Sequence, residues 1–357
     1  MTSRLRYAVA GVVTVLALAG CSSTVTGGLP AAGAATAGGA TPVATSQAPA
    51  DYTGGVSARE VSPDGLLTDS YVEGQTATLR LPQAQGPTPL VVVVPGGGWV
   101  QSNPIDYQPL AEFLTAAGTT TSLITYDTAA NGAQFPKPID DVACAIRWSA
   151  FQVNALGHPA TEVYVVGHSA GGHLAVEAVV TGDRFGTDCP WPPVTVTGVA
   201  GLAGAYDLVP VSSLPEGRLF AGGGTPEERS EYSPITAVND PDNPIPPSLK
   251  VLVLSGASDV IVPAVQSEEL TAALRSRGIE PTTQVLPLEH NMGFPLSHEI
   301  APIVATWVLG DAFTPSPTPT PVDPVAPAAS APAASAPPPA SAAPLSSAAP
   351  APSAAAG

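Results

Sequence analysis

Apolar positions between residues 71 and 309 follow two periods in turn. Residues 71–81 alternate, with Ala77, Leu79 and Leu81 set against Thr76, Thr78 and Arg80, which predicts an early half-exposed strand. Leu90 to Val94 is a continuous apolar run, the pattern of a strand covered on both faces of a parallel sheet. Leu110, Phe113 and Leu114 then fall at helical spacing within 107–117, and Gly118 supplies the stop. A strand is predicted over 119–126. Ile139, Val142, Ala143, Ile146, Ala150 and Val153 share one face of a second helix. Strand 161–166 and helix 173–180 follow, then strands 194–202 and 249–254. Helix 265–277 is closed by Gly278, and strand 282–288 and helix 297–309 complete the series. Strands alternating with helices predict an α/β fold: a doubly wound, mostly parallel sheet with helices on both faces. Residues 204–247 alone break the pattern, being irregular and rich in Pro and Gly. An irregular stretch of that length inside a compact domain is expected to act as a lid or pocket wall.

The ends of the 357-residue chain read differently. Residues 1–20 place Arg4 and Arg6 before an apolar run too short to span a bilayer comfortably, the layout of an export signal. Residues 21–58 are Ala, Gly, Thr, Ser and Pro and cannot bury a core, so a flexible tether is expected. Residues 314–357 are Pro, Ala and Ser with Asp323 the only charge, which predicts a disordered tail. One folded domain, 59–313, remains. Without residues 1–20 the chain carries ten Lys and Arg against 29 Asp and Glu, a net charge near −19. Such a surface repels nucleic acid and anionic headgroups, so neither is an expected partner. No Cys/His cluster has zinc spacing and no dinucleotide fingerprint is present, so no metal or cofactor is expected.

The candidate chemistry centres on Gly167-His168-Ser169-Ala170-Gly171-Gly172, a G-x-S-x-G motif between a strand and a helix. A tight turn there lifts the serine hydroxyl off the sheet edge, and the helix N-terminus aims free N–H groups beside it. A serine hydroxyl needs a base, normally a histidine oriented by a carboxylate. Asp259 and His290 each follow a downstream strand, and in a parallel sheet those strand ends lie on the same edge as Ser169. His168 is expected to point away from the serine's face, His173 to pack locally, and His158 to lie at the surface. His298, opening the last helix, is the rival base. Asp207 and Glu289 are less well placed than Asp259. Asp140 and Asp141, at a helix start, are read as caps. Ala170, with Gly97 and Gly98 of Pro95-Gly96-Gly97-Gly98-Trp99, offers backbone N–H donors for an oxyanion hole.

Taken together, Gly96-Gly97-Gly98-Trp99, the Ser169 motif, Ser233-Pro234-Ile235-Thr236, Asp259-Val260-Ile261-Val262-Pro263 and His290 resemble the α/β-hydrolase superfamily. Within it they are similar to hormone-sensitive-lipase-like, kynurenine-formamidase-like and feruloyl- or acetyl-esterase enzymes. The resemblance implies a serine esterase acting on short acyl esters through Ser169, His290 and Asp259, on small-molecule or carbohydrate substrates. Many members carry a histidine where this chain has Pro95; backbone donors are indifferent to that change. An amide hydrolase of arylformamidase or peptidase type is the alternative, and an idle binding module a further one, against which the complete Ser169, Asp259 and His290 set argues. Leu18-Ala19-Gly20-Cys21 resembles the lipobox of bacterial lipoproteins, which implies lipidation of Cys21 and anchoring on the outer face of the cytoplasmic membrane. Cys144 and Cys189 then remain as an even pair in an oxidising compartment. A disulfide between them is expected, two separate thiols being the alternative.

Overall fold

The computed structural model describes residues 61–211, 219–220, 222–294 and 298–313. The export signal, Cys21, the tether and the Pro-rich tail lie outside the described residues.

The early strand proves to be a hairpin. β1 (Leu66–Val72) and β2 (Gln75–Arg80) pair antiparallel with Val72 opposite Gln75, leaving Glu73-Gly74 as a two-residue turn. So short a turn leaves no break in the polar–apolar alternation, which is why the sequence reads as one strand. The parallel part follows in chain order: β3 (Thr88–Val94), α1 (Gln108–Ala116), β4 (Thr120–Ile124), α2 (Lys137–Ala155), β5 (Ala160–His168) and α3 (Ala170–Val180). Then come β6 (Gly198–Leu202), α4 (Pro226–Glu231), α5 (Pro234–Asn239), β7 (Lys250–Gly256), α6 (Val265–Ser276), β8 (Thr282–Leu286) and α7 (Ala301–Leu309). The strand order is β1-β2-β4-β3-β5-β6-β7-β8. β1–β2 and β2–β4 are antiparallel, and every other neighbouring pair is parallel.

Strand periodicity explains the two cores. Along β3, Val92 and Val94 face the layer that holds α2, α3 and α6, while Val91 and Val93 face α1 and α7. Tyr164 and Val166 of β5 and Leu252 and Leu254 of β7 join the second layer, packed on Leu110, Leu114, Val304 and Val308. A strand covered on both sides must be apolar at every position, and each fully buried Val or Leu contributes roughly 1.5–3 kcal/mol. β4 departs from this: Thr120, Thr121 and Ser122 are buried and polar. Hydroxyl pairs satisfy them, Ser122 Oγ to Ser149 Oγ at 2.7 Å and Thr120 Oγ1 to Thr88 Oγ1 at 2.8 Å.

The described part of 204–247 contributes to the core. Tyr206, Leu208, Leu219 and Val238 are buried there. The Ser233 hydroxyl accepts from the Leu208 N–H at 2.9 Å, and α4 opens with a Thr225–Glu228 capping box. Cys144 of α2 and Cys189 of the loop after α3 are joined with S–S 2.02 Å and Cα atoms 5.4 Å apart. The same loop is tied to the hairpin, the Trp191 indole donating to the Tyr71 carbonyl at 3.0 Å.

His158 corrects a surface expectation: it is 1% exposed. Its loop is drawn under the sheet because the Thr88 N–H donates to the Pro159 carbonyl at 3.2 Å and the His158 N–H to the Val153 carbonyl at 2.9 Å. Asp140 and Asp141 cap nothing in α2, whose N-cap is Pro136. Their carboxylates instead receive the N–H groups of Gly186 at 2.7 Å and Asp127 at 2.9 Å, stapling two loops to the helix, and Asp141 also pairs with Lys137.

Candidate active site

β5 delivers Ser169 into a turn that only a constrained neighbourhood tolerates. Ser169 sits at φ 54° and ψ −122°, a conformation that costs of order 1–3 kcal/mol for a side-chain-bearing residue. The glycines on either side make the turn feasible by close approach. A Cβ on Gly167 would lie 2.1 Å from the Gly171 carbonyl oxygen, and one on Gly171 would lie 2.3 Å from that of Val94 and 2.4 Å from that of Pro95. The helix start is thus pressed onto the end of β3, the strand that leads into Gly96-Gly97-Gly98.

The structure brings Ser169, His290 and Asp259 together. Ser169 Oγ lies 2.8 Å from His290 Nε2, and His290 Nδ1 lies 2.8 Å from Asp259 Oδ2. The Asp259 side chain is fully buried, and its other oxygen accepts from the N–H groups of Ile261 at 2.9 Å and Val262 at 2.8 Å. These bonds orient the carboxylate toward the imidazole, which therefore donates from Nδ1 and accepts the serine proton at Nε2. The rivals lie elsewhere: His298 and Glu289 are exposed, and the Asp207 carboxylate accepts from Val209 N–H in a local turn.

Gly97 and Gly98, at φ 141° and 60°, turn the loop after β3 over the serine. The N–H groups of Gly97, Gly98 and Ala170 have no acceptor among the described residues. Gly97 and Gly98 line a cleft of about 280 Å³ together with Ser169, His290, His168, Tyr107, Trp99, Ile261 and Val262. No described residue of 204–247 is in that lining. Ile261, 56% exposed, belongs to that lining, and its chain neighbour Val260 is 91% exposed.

Two histidines that the sequence reading set aside belong to the framework of the site. His168 does not simply point away from the serine: its Nε2 lies 2.8 Å from the His290 carbonyl and its Nδ1 lies 2.8 Å from the Tyr107 hydroxyl. His173 does not pack only locally. It accepts from the Trp99 indole at 3.0 Å and donates to the Tyr232 carbonyl at 2.7 Å, joining the glycine loop to the segment before α5. Burial pushes both imidazoles down to about 4, so both are neutral at physiological pH. Burial also pushes the Tyr107 phenol up to about 12. Nothing local in the sequence signals these partners, which lie 59 to 122 residues away. Among the described residues no three His, Cys, Asp or Glu side chains gather where they could hold a metal ion, and no helix is long and apolar enough to cross a membrane.

Comparison with known proteins agrees with this geometry. Esterase LipC of Mycobacterium tuberculosis is 30% identical over 205 residues, covering 53% of this chain and 49% of LipC. Isoprenylcysteine alpha-carbonyl methylesterase ICME of Arabidopsis thaliana is 25% identical over 207 residues, covering 54% of this chain and 48% of that protein. The chain thus spans about half the length of these curated relatives. Among solved structures, a truncated carbohydrate esterase from gut microbiota superposes with a TM-score of 0.57 at 19% identity, over 69% of this chain and 98% of that one. Butyrate-bound esterase 2 of Thermogutta terrifontis gives 0.58 at 19% identity, over 71% and 97%. These likenesses establish the α/β-hydrolase fold. The BD-FAE family profile matches residues 79–274, more than half of the chain, and runs from β2 through the glycine loop and the Ser169 turn into α6. This protein accordingly belongs to the BD-FAE family of α/β-hydrolases.

Proposed function

We propose that the protein is a serine carboxylic-ester hydrolase that cleaves short acyl esters, acetylated carbohydrate among them. The observation that carries this reading is the unbroken line from Ser169 Oγ through His290 to the buried Asp259 carboxylate, beside three backbone N–H groups with no acceptor among the described residues. Ser169 Oγ attacks the ester carbonyl as its proton passes to His290 Nε2. Asp259, its charge spread over two backbone donors, stabilises the imidazolium. The oxyanion is received by the N–H groups of Gly97, Gly98 and Ala170, the last at the N-terminus of α3. His290 then returns the proton to the departing alcohol, and water, activated by the same imidazole, releases the acyl group from Ser169.

The cleft of about 280 Å³ supports a small acyl group. Half-exposed Ile261 in the cleft wall offers the substrate an apolar surface without formal charge. The names of the carbohydrate esterase neighbour and of the ester-hydrolysing relatives support an ester substrate. The sequence of residues 1–21 supports a place outside the cytoplasm, with lipid on Cys21 holding the domain at the membrane.

Purified protein assayed on p-nitrophenyl esters of increasing chain length, acetylated xylose and N-formylkynurenine tests the reading. Turnover that is highest for acetyl and propionyl esters and abolished in Ser169→Ala is expected. Cleavage of the formamide in preference to every ester would replace it with an amide hydrolase.

A further inference from the structure

His290 has little of the sheet to hold it. It follows β8, an edge strand whose residues are almost all exposed, and it lies beyond the last ladder pairing of Leu286 with Gly256. Asp259 holds the imidazole at Nδ1 and Ser169 meets it at Nε2, but neither bond fixes the backbone that carries the ring. The backbone has its own tie, the 2.8 Å hydrogen bond from His168 Nε2 to the His290 carbonyl.

The direction of this hydrogen-bond chain is determined by its ends. A carbonyl only accepts, so His168 carries its proton on Nε2. His168 is buried and neutral, so Nδ1 is the acceptor and the Tyr107 hydroxyl donates to it at 2.8 Å. The Tyr107 oxygen in turn accepts from the Gly96 N–H at 2.8 Å. Phe294, past the histidine loop, packs on both rings, with centroids 4.5 Å from Tyr107 and 4.9 Å from His168. One line of bonds therefore runs from the start of the glycine loop, through the residue next to the nucleophile, to the backbone of the base. A residue retained only for packing at this 7% exposed position would need neither nitrogen.

We propose that His168, held in its Nε2–H tautomer by Tyr107, is a positioning residue that sets the His290 backbone and so aligns the base with Ser169. The proposal rests on the reading of Ser169, His290 and Asp259 as the hydrolytic machinery. It predicts that loss of the bond misplaces the imidazole and so acts on turnover more than on substrate binding, although His168 and Tyr107 themselves border the cleft.

The test compares His168→Leu, His168→Gln, Tyr107→Phe and Ser169→Ala in the full chain. The readouts are kcat and KM on p-nitrophenyl acetate, thermal unfolding, and the far-downfield proton resonance of His290 Nδ1–H. His168→Leu should lower kcat about 100-fold, the scale of loss when a reacting group is misplaced by about 1 Å, with a much smaller change in KM from the altered cleft wall. His168→Gln, which keeps an N–H donor for the carbonyl, should recover most of that loss. Tyr107→Phe, which frees the tautomer but leaves the donor, should fall between them. The downfield resonance should shift or broaden in His168→Leu and return in His168→Gln. Wild-type kcat in folded His168→Leu, or equal damage from Leu and Gln, overturns the proposal. If His168→Leu does not fold, an unchanged kcat and resonance in Tyr107→Phe overturn it. Retained turnover in Ser169→Ala instead overturns the hydrolase reading beneath it, while the resonance still reports whether His168 orders His290.

Discussion

Ser169 spends its backbone strain in a place where two other residues depend on it, and the strain is useful only if they are present. Ser169→Ala and His290→Ala are each expected to lower kcat by about 10⁶, and Asp259→Asn by about 10⁴, because members of such a set act as a unit. His298→Ala, at an exposed position, should leave kcat near wild type; steady-state rates on p-nitrophenyl acetate check all four. A different residue-scale prediction comes from Glu177 of α3, fully buried with neither carboxylate oxygen partnered among the described residues. Burial pushes its carboxyl from 4.5 up to about 8, partly opposed by Arg184. Between those pH values the unfolded chain releases a proton that the folded one keeps, so this group's contribution to stability is full below pH 4.5 and is lost as pH rises through about 8. Glu177→Gln should therefore raise stability by about 4 kcal/mol at pH 8 and by roughly nothing at pH 4.5. The neutral, buried His168 and His173 act in the opposite sense, weakening the fold as pH falls from 6.5 through about 4, and are common to both proteins. Urea unfolding at the two pH values gives the difference.

At the scale of elements, the site is made where the start of α3 meets the end of β3. Gly171 allows that meeting, since its missing Cβ would occupy space 2.3 Å from the Val94 carbonyl oxygen. Backbone oxygens at the end of a central strand cannot retreat as a flexible side chain can. Gly171→Ala is expected to cost about 3 kcal/mol or more, within the range for overpacking. Because the displaced carbonyls lead directly into Gly96–Gly98, it should also lower kcat in whatever fraction remains folded. Thermal unfolding together with kcat on the folded fraction measures both. The reverse design appears at Asp140 and Asp141, whose carboxylates hold two loops in place rather than capping their own helix, Asp141 also pairing with Lys137 at its start.

At the scale of the molecule, the Cys144–Cys189 bond closes a loop of 45 residues that contains β5, Ser169 and α3. The chain-entropy account assigns such a loop roughly 4 kcal/mol. Cys144→Ala with Cys189→Ala should lower Tm by several degrees with little change in kcat, because neither cysteine lines the catalytic cleft. Calorimetry of the double variant, and of wild type with and without reductant, checks it. The anchoring proposal is tested with the full-length chain in cells: Cys21→Ser should move the protein out of the detergent phase or leave an uncleaved precursor. Wild-type protein found entirely in the aqueous phase would remove that proposal.

Most of the architecture was determined by the sequence itself. The unbroken run at Leu90–Val94, the helical spacing from Ile139 to Val153 and the glycines about Ser169 are local patterns, each set by the period of one element and its burial on one or two faces. Ser169, Asp259 and His290 were legible for a related reason: in a parallel sheet, residues just beyond strand ends share an edge whatever their separation along the chain. What the tertiary structure decided has no local period. The Glu73-Gly74 turn hides inside an alternation, His158 is covered because a neighbouring strand end captures its loop, and Tyr206, Leu208, Leu219 and Val238 of the irregular stretch join the core. His168 and His173 read as incidental in the motif and become struts only through Tyr107, Trp99, Tyr232 and His290. His168 and His173 satisfy both ring nitrogens although buried, while buried His158 has a partner at neither among the described residues; the difference is which distant groups the fold brings within hydrogen-bonding distance.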